Sequence, residues 1–560
     1  MRRWSELAER IAATSRTSEK VGLLADYLAS LSPDELPIAA VFLTGRPLPE
    51  TDRRSAGLGW ATIATTVTTL AGVSRPALGQ AYDRSSDLGV AVMDVLADAG
   101  HRPDPGRAPS LADVAAAYAA VEAAGGPARK GERFAELLAR CDPLTAKYVV
   151  KVLSGDLRIG LRDGHLEAAI AAAFGRDPEA VAWAGMLTGD LAETARLARD
   201  GRLAEARLTL FRPITCMLAT PAADAAEVVA RMTPPVWVED KYDGIRAQLH
   251  KEGARVRLYS RDRNDVSDAF PEVVAAAAGL PWDGILDGEL LGWRDGTVLP
   301  FQSLQARLGR KRPSAALLAE VPVIFVAFDA LALGPGGGAP VKPLLRRPLH
   351  ERRARLEALG LDATPGFGLA ALDRAGDAAA LDAIFDAARE RGNEGLMIKD
   401  PGSTYAPGRR GIAWLKLKRP LATLDCVVVG VETGHGRRHG VLSDWTFAVR
   451  DDRPGAPDGR LVTISKAYSG LTDAELAEMT RWFEAHTVSQ HGRYRVVEPT
   501  VVVELAFDVV MASPRHASGF ALRFPRIVRI RDDKPAAEAD TVGAVAAIHA
   551  RLAAGGRGSE

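Results

Sequence analysis

Glu239-Asp240-Lys241-Tyr242-Asp243-Gly244-Ile245-Arg246 is the stretch on which the reading of this chain turns. It follows Pro234-Pro235-Val236-Trp237-Val238, an apolar run that reads as the start of a strand. Lys241 therefore falls at a strand end, ahead of a turn at Asp243-Gly244. A lysine set there is what a nucleotide-attacking nucleophile looks like. It is also what a plain turn looks like, and the motif by itself favours the plain turn. What surrounds it decides.

Working outward, Arg246 offers a cation five residues on, and Tyr259-Ser260-Arg261-Asp262 closes a strand with a second guanidinium. A lysine amine attacks only when neutral, so nearby cations or desolvation are needed. Leu286-Asp287-Gly288-Glu289-Leu290 places two acids around a glycine at a predicted strand end, and Phe328-Asp329 closes a buried-looking strand. Glu394 precedes the apolar run Gly395-Leu396-Met397-Ile398, and in Trp414-Leu415-Lys416-Leu417-Lys418 the alternation puts Lys416 and Lys418 on one face. Each piece alone is ordinary: a solvated turn, an exposed strand face, a core phenylalanine. Together they are acids suited to Mg²⁺, cations suited to phosphates and one positioned lysine. That is the inventory for attack on a nucleoside triphosphate.

The flanks give the domain plan. At 560 residues the chain should hold three or four domains of about 150 residues each. Residues 1–205 read as an all-α domain. Trp4, Leu7 and Ile11 recur at helix spacing, and Ser110-Leu111-Ala112-Asp113 looks like a capped helix start before Val114, Ala117, Tyr118 and Val121. Within it a helix should stop at Gly155, leaving a turn, Gly155-Asp156-Leu157-Arg158, whose free amides would suit phosphates; a plain helix–turn–helix is the competing reading. Residues 206–420 mix strands and helices, which predicts an α+β domain. Residues 421–560 carry short strands, one helix over Thr472 to Phe483 and a terminal helix, which suits a small β-barrel of the OB type.

Composition narrows the class. A hydrophobic share of 47% and a charged share of 25% are those of a folded protein. No uncharged apolar run is long enough to span a bilayer, and Met1-Arg2-Arg3-Trp4-Ser5-Glu6 lacks the apolar core of a secretory signal. Cys141, Cys216 and Cys426 form no CxxC pair, which argues against a structural zinc site and for a reducing compartment, the cytoplasm, with nucleoid association in a bacterial cell. The net charge of zero leaves a basic nucleic-acid groove open.

Taken in order, Lys241-Tyr242-Asp243-Gly244-Ile245-Arg246, Ser260-Arg261, Asp287-Gly288-Glu289, Phe328-Asp329, Glu394-Gly395 and Lys416-Leu417-Lys418 resemble the successive nucleotidyltransferase motifs of ATP-dependent DNA ligases. Arg531-Asp532-Asp533-Lys534 resembles the Arg-x-Asp-Lys motif of their C-terminal barrel. Gly155-Asp156-Leu157-Arg158-Ile159-Gly160 is similar to a segment of their helical DNA-binding domain, and Phe301, Leu304-Gln305 and Arg307-Leu308-Gly309-Arg310-Lys311 also fit. The resemblance extends from the helical domain to about residue 540 and is densest in the middle and at the C-terminus. One departure is Cys216, which stands where a proline is usual.

The resemblance implies a role for each position. Lys241 would carry AMP, and Glu239 would contact the adenine amino group. Arg246 and Arg261 would hold ribose and phosphate, and Phe328 would stack on adenine. Glu289 and Glu394 would hold ribose and position the metal, Mg²⁺ with Mn²⁺ as the alternative. Arg410, Lys416 and Lys418 would bind phosphates, and Arg531, Asp533 and Lys534 would orient the leaving pyrophosphate. The substrates implied are ATP and nicked duplex DNA, bound by a monomer without sequence preference, with the runs Gly155 to Arg158 and Arg307 to Arg312, and Gly155, Arg158, Arg310 and Lys311 foremost within them, as backbone contacts. The loop Gly434-His435-Gly436-Arg437-Arg438-His439-Gly440 is a further DNA-contact candidate, or a solvated hairpin tip. An RNA ligase or a capping guanylyltransferase would share the lysine motif, and a non-catalytic DNA-binding protein is a different class. The helical domain together with Arg531-x-Asp533-Lys534 favours the DNA ligase. Replication, repair and recombination would look alike at this level.

Overall fold

The computed structural model describes all residues except 50–56, 311, 409, 419–421, 435–437, 439 and 556–560, and the side chains of 302 and 551–555. The chain forms two compact units: Met1–Leu218 with Gly244–Ala370 and Pro401–Arg410, and Ala219–Asp243 with Ala371–Asp400 and Gly411–Glu560. Among the described residues no helix is long and apolar enough to cross a membrane.

The first unit begins with the helical domain. Helices follow one another from Arg2–Ala13 to Leu191–Arg199, and no described strand precedes Leu218. The expected start at Ser110 is a capping box. The Ser110 side chain accepts from the Asp113 amide, and Asp113 accepts from the Ser110 amide. The helix Pro143–Ser154 runs through the core, with every residue from Thr145 to Leu153 buried. Its two inward lysines each meet an acid, Lys147 pairing with Glu9 and Lys151 with Asp87. Around it Trp4 packs edge-on against Phe42 and Tyr148, at 6.3 and 5.8 Å between ring centroids, and the Tyr118 hydroxyl donates to Val149 O at 2.8 Å. Trp4 is fully buried, so its truncation to alanine would cost about 3–5 kcal/mol.

The rest of the first unit is a sheet in the order Arg255–Ser260, Ile245–Glu252, Asp283–Arg294, Val323–Gly334, Lys342–Pro343. Its apolar face, with Ala247, Leu249, Leu258, Leu286, Leu290 and Phe325, packs with Phe270 and Val273 from the helical side. The sequence reading ended two of these strands too early. Asp287-Gly288-Glu289 lies mid-strand in Asp283–Arg294, and the strand carrying Phe328 continues to Gly334. Buried Ala330 and Ala332 carry the ladder past the acid, because Asp329 is neutralised inside the fold by Arg352 at 2.7 Å.

The second unit holds a five-stranded sheet in the order Leu218–Ala222, Arg410–Leu417, Gly395–Lys399, Val236–Lys241, Leu372–Ala375. Val236, Val238, Leu396, Ile398, Leu415 and Leu417 form one apolar face under Val228 and Phe385. Its C-terminal portion is strand-rich, as the sequence predicts. Ala422–Thr433 pairs with Leu442–Arg450, Tyr494–Val497 and Val502–Phe507, and Val502–Phe507 pairs in turn with Arg526–Ile530. The helix Asp473–Ala485 opens on a Thr472/Glu475 capping box and packs Phe483 on Trp445, with ring centroids 4.9 Å apart, and the terminal helix follows at Val542–Gly555.

Candidate active site

The Lys241 cluster of the second unit is built by strand alternation. Register sets Lys241 opposite Gly395, Glu239 opposite Met397 and Trp237 opposite Lys399, and then Met397 opposite Lys416 and Lys399 opposite Trp414. Because opposed residues share a face, the face turned away from Val236, Val238, Leu396 and Ile398 carries Trp237, Glu239, Lys241, Lys399, Trp414 and Lys416. The apolar alternation that buries one face thus sorts the chemistry onto the other.

Lys241 ends its strand, as expected, and its carbonyl accepts from the Glu394 amide at 2.8 Å. Its ammonium pairs with the Glu394 carboxylate, which also meets Lys418 at 2.5 Å. Burial alone would raise the Glu394 carboxyl, but Lys241 and Lys418 outweigh it and hold it below its ordinary value. Glu394 is aimed by the turn before it, where Arg391 and Asn393 both donate to Asp240, at 2.7 and 2.8 Å. Asp243, two residues past the lysine, pairs with Arg523 at 2.7 Å. Burial raises the Asp243 carboxyl, Arg523 opposes this, and the charge of Glu394 adds to the rise.

Glu239 is buried and takes the Lys399 ammonium at 2.5 Å, and Lys399 also lies 4.5 Å from the Trp414 ring centroid. Lys399 has no role in the sequence expectations; its place directly after the apolar run Gly395-Leu396-Met397-Ile398 is the signal that could have found it. Lys418 lies one residue beyond its strand and also faces Asp508 at 3.6 Å, while Arg410 opens the strand from an exposed position.

Arg531, Asp533 and Lys534 come together on Asp425. Arg531 reaches both Asp425 oxygens at 2.9 Å and forks onto Asp533 at 2.8 and 2.9 Å, and Lys534 meets Asp425 at 2.7 Å. The Arg531 fork lowers the Asp533 carboxyl to about 2. Asp425, which unites the motif, lies in the strand Ala422–Thr433 and has no role in the sequence expectations.

In the first unit the structure gathers Arg246, Asp287, Glu289 and Phe328. Arg246 lies opposite Glu289, one step along from Gln248 opposite Asp287. Its guanidinium forks onto Asp287 at 3.1 and 2.7 Å and donates to Met217 O at 2.7 Å. Arg246 therefore has a fully buried acid partner of its own, and the cation that shares a carboxylate with Lys241 is Lys418. Asp287, one of the acids suited to a metal by sequence, is committed to that fork. Two glycines of the motifs are there for room. A Cβ on Gly244 would lie 2.4 Å from Leu290 O, and one on Gly288 would lie 2.5 Å from Phe325 Cζ.

Phe328 is placed by a bulge. Asp287 pairs with Asp329 while Gly288 pairs with Ala327, so Phe328 is the extra residue. A bulge re-aims its side chain, and the Phe328 ring lies half-exposed, 5.4 Å from Arg246 Cζ. Arg261 is exposed directly after the strand Arg255–Ser260. Cys216, at the departure from the usual proline, is buried, and its thiol accepts from Gln248 at 3.4 Å while Gln248 also binds both the amide and the carbonyl of Ile214.

The DNA-contact candidates fare differently. The helix does end at Gly155, but the turn is tied up: the Gly155 and Asp156 amides donate to Val152 O and Lys151 O. Arg158 binds Asp156 and the Ser86 carbonyl, each at 2.7 Å. Arg310 is exposed, and Lys311 lies outside the described residues, as do His435, Gly436, Arg437 and His439. Arg307 is fully buried, bonded to Ala269 O, Val321 O and Glu272, which removes it from any outer surface.

Among the described residues no group of three or more His, Cys, Asp or Glu side chains is arranged to hold a metal. Mg²⁺ is usually held by one or two carboxylates with substrate phosphates and water, fewer protein ligands than such a group would supply.

Three family descriptions match this chain: DNA ligase N terminus over residues 1–171, ATP dependent DNA ligase domain over 216–418, and ATP dependent DNA ligase C terminal region over 438–534. A "Probable DNA ligase" of Koribacter versatilis is 46% identical, covering 96% of this chain and 94% of that protein. A "Probable DNA ligase" of Opitutus terrae is 45% identical over 99% of this chain, which spans 62% of that longer relative. The solved structure named "Pmar-Lig_PreS3" superposes over 94% of this chain and 99% of its own with a TM-score of 0.59 at 16% identity, a likeness of fold.

Proposed function

The chain belongs to the ATP-dependent DNA ligases, and from that premise we propose that it seals 5′-phosphate/3′-hydroxyl nicks in duplex DNA by way of AMP carried on Lys241. The observation that supports this most directly is Lys241 at its strand end, paired with Glu394, whose carboxylate it shares with Lys418.

Three steps follow. The Lys241 amine attacks the α-phosphorus of ATP, a P–N bond forms and pyrophosphate leaves. The 5′-phosphate at the nick then attacks the same phosphorus, so that AMP passes to the DNA and the lysine is freed. The adjacent 3′-hydroxyl attacks that activated phosphate, forming the phosphodiester and releasing AMP. Positioning and charge neutralisation carry most of such catalysis. Glu239 selects adenine, Phe328 stacks on it, and Arg246, Arg261 and Glu289 hold ribose and phosphate. Arg410, Lys416 and Lys418 neutralise phosphate charge, and Arg531, Asp533 and Lys534 orient the leaving pyrophosphate in the first step. Glu289 and Glu394 are the acids to hold Mg²⁺, or Mn²⁺, which would offset charge on the reacting phosphates.

We divide the chain into a DNA-binding domain over 1–205, a nucleotidyltransferase domain over 206–420 and an OB domain over 421–560. It acts as a monomer in the reducing cytoplasm, where its three buried free cysteines would stay as thiols. Arg158, Arg310 and Lys311 contact the DNA backbone, so binding is blind to sequence and falls steeply with salt.

The test is labelling with ATP carrying a radioactive α-phosphate, followed by sealing of a nicked duplex. The wild-type chain should take up label, release pyrophosphate and seal. Label on Lys241→Ala would remove the nucleophile assignment, and label from GTP without sealing would point to a capping enzyme.

A further inference from the structure

Tyr405 has no role in the reaction as described so far, yet it is one of the most fully bonded side chains in the first unit. It is 2% exposed. Its hydroxyl donates to Asp287 Oδ2 at 2.7 Å and accepts from the Met217 amide at 3.0 Å and from Arg246 Nη2 at 3.3 Å. A phenol hydroxyl has one proton and two lone pairs, so all of its capacity is used. Asp287 Oδ2 takes Arg246 Nη2 at the same 2.7 Å, so Tyr405, Asp287 and Arg246 close a triangle.

We infer that Tyr405 is a positioning residue for the nucleotide site, its hydroxyl and the Asp287 carboxylate together fixing the Arg246 guanidinium beside the Phe328 ring. This rests on the reading of Arg246 and Phe328 as nucleotide-binding residues.

Three features carry the inference. The first is that the triangle sets the guanidinium plane. Asp287 alone fixes one edge through Nε and Nη2, while Tyr405 limits rotation about that edge by taking Nη2 from another direction. Met217 O accepts Nη1 and the Met217 amide donates to Tyr405, so one residue closes the ring of contacts.

The second is that the backbone bearing Tyr405 is pinned. The Tyr405 amide donates to Leu345 O, the Leu349 amide to Ser403 O and the His350 amide to Pro401 O, at 2.8 to 3.0 Å. Arg352 donates to Ser403 O at 3.0 Å and forks onto Asp329 at 2.7 and 2.8 Å. Asp329 adjoins Phe328 and is the register partner of Asp287. The facing acids thus each take one arginine, Arg246 and Arg352, and Tyr405 lies by both, 5.8 Å from Arg352 at its ring centroid.

The third is that the phenol keeps its proton. Burial and the charge of Asp287 both push it well above its ordinary value, so the hydroxyl stays a donor across the working range.

The test measures the ATP dependence of Lys241 labelling in the full chain for wild type, Tyr405→Phe, Arg246→Ala and the double variant, beside their melting temperatures. Phenylalanine keeps the ring and deletes only the hydroxyl. Tyr405→Phe should raise the half-saturating ATP concentration about tenfold and leave the maximal labelling rate within about twofold. In the Arg246→Ala background the same change should have almost no further effect, because coupled residues are non-additive. Full additivity in the two backgrounds, or unchanged ATP dependence in Tyr405→Phe while Arg246→Ala is impaired, would overturn the positioning role. Unchanged ATP dependence in Arg246→Ala would overturn the nucleotide-binding reading beneath it. Where Tyr405→Phe melts early, Asp287→Asn replaces it in the same cycle, with the same expected loss of effect in the Arg246→Ala background and the same overturning result.

Discussion

The Lys241 ammonium donates to Glu394 Oε2, the same oxygen that meets Lys418 at 2.5 Å. One partly buried carboxylate therefore balances two ammoniums beside the residue proposed to carry AMP. Glutamine in place of Glu394 keeps the shape and removes the charge, leaving two cations facing each other without their acid. We expect Glu394→Gln to label with α-phosphate-labelled ATP at least about 100-fold more slowly than wild type, because it removes an acid proposed to hold the metal that offsets charge on the reacting phosphates, an effect of several kcal/mol. A labelling rate within a few fold of wild type would show that the carboxylate is dispensable.

The Arg523 fork onto Asp243 gives a prediction in pH. Burial holds the Asp243 carboxyl above its ordinary value, and Arg523 counters this by favouring the ionised form. At low pH, with Asp243 protonated in both proteins, Arg523→Ala should cost little. As pH rises through the raised carboxyl value, wild type gains the ion pair, while the variant must bury a carboxylate near Glu394 without it. The gap in melting temperature between wild type and Arg523→Ala should therefore widen from pH 4 to pH 8, toward about 1–3 kcal/mol for a pair this buried. A gap independent of pH would mean that the pair adds nothing.

Phe328 projects from a bulge, so its ring has a function to answer for. Stacking on a base is worth about 1–3 kcal/mol. Phe328→Ala should raise the half-saturating ATP concentration for Lys241 labelling by about 10-fold or more, and Phe328→Tyr should restore it. Melting temperatures should change little, since the ring is half-exposed rather than core. Loss of stability with unchanged ATP dependence would make Phe328 a packing residue.

How much of this was legible in the sequence follows from the range of each interaction. The Lys241 strand end could be read because the apolar run through Val236, Trp237 and Val238 leads into a glycine turn, all within ten residues. The two faces of that sheet could be anticipated too, since alternation at Leu415, Lys416, Leu417 and Lys418 is local. The pairs that aim the side chains could not. Lys399 meets Glu239 across 160 positions, Tyr405 meets Asp287 across 118 and Arg531 meets Asp425 across 106. Such pairs depend on register, which is fixed only when sheets assemble. The bulge at Phe328 breaks the two-residue period and so escapes any reading by alternation. Arg307 misled for another reason. Arginine is rarely fully buried, and only the fold shows the two carbonyls and Glu272 that make its burial tolerable.

Arg307 and Arg310 lie three residues apart and should separate cleanly in a DNA-binding experiment. Arg310 is exposed, its Nε on Ala306 O at 2.9 Å, with the rest of the guanidinium available to a phosphate. If it contacts one phosphate, Arg310→Ala should reduce the slope of log affinity against log salt by about 1 on any duplex, whatever its sequence, with the melting temperature unchanged. Arg307→Ala should do the reverse. Removing a buried guanidinium strands Ala269 O, Val321 O and Glu272, so the melting temperature should fall by the equivalent of about 3–5 kcal/mol, while the folded fraction keeps the wild-type salt slope. Fluorescence anisotropy on a nicked duplex between 50 and 200 mM salt, read beside thermal unfolding, covers the range over which phosphate contacts change affinity most. An unchanged slope in Arg310→Ala would take that residue off the DNA path, and a reduced slope in Arg307→Ala without loss of stability would contradict its buried setting.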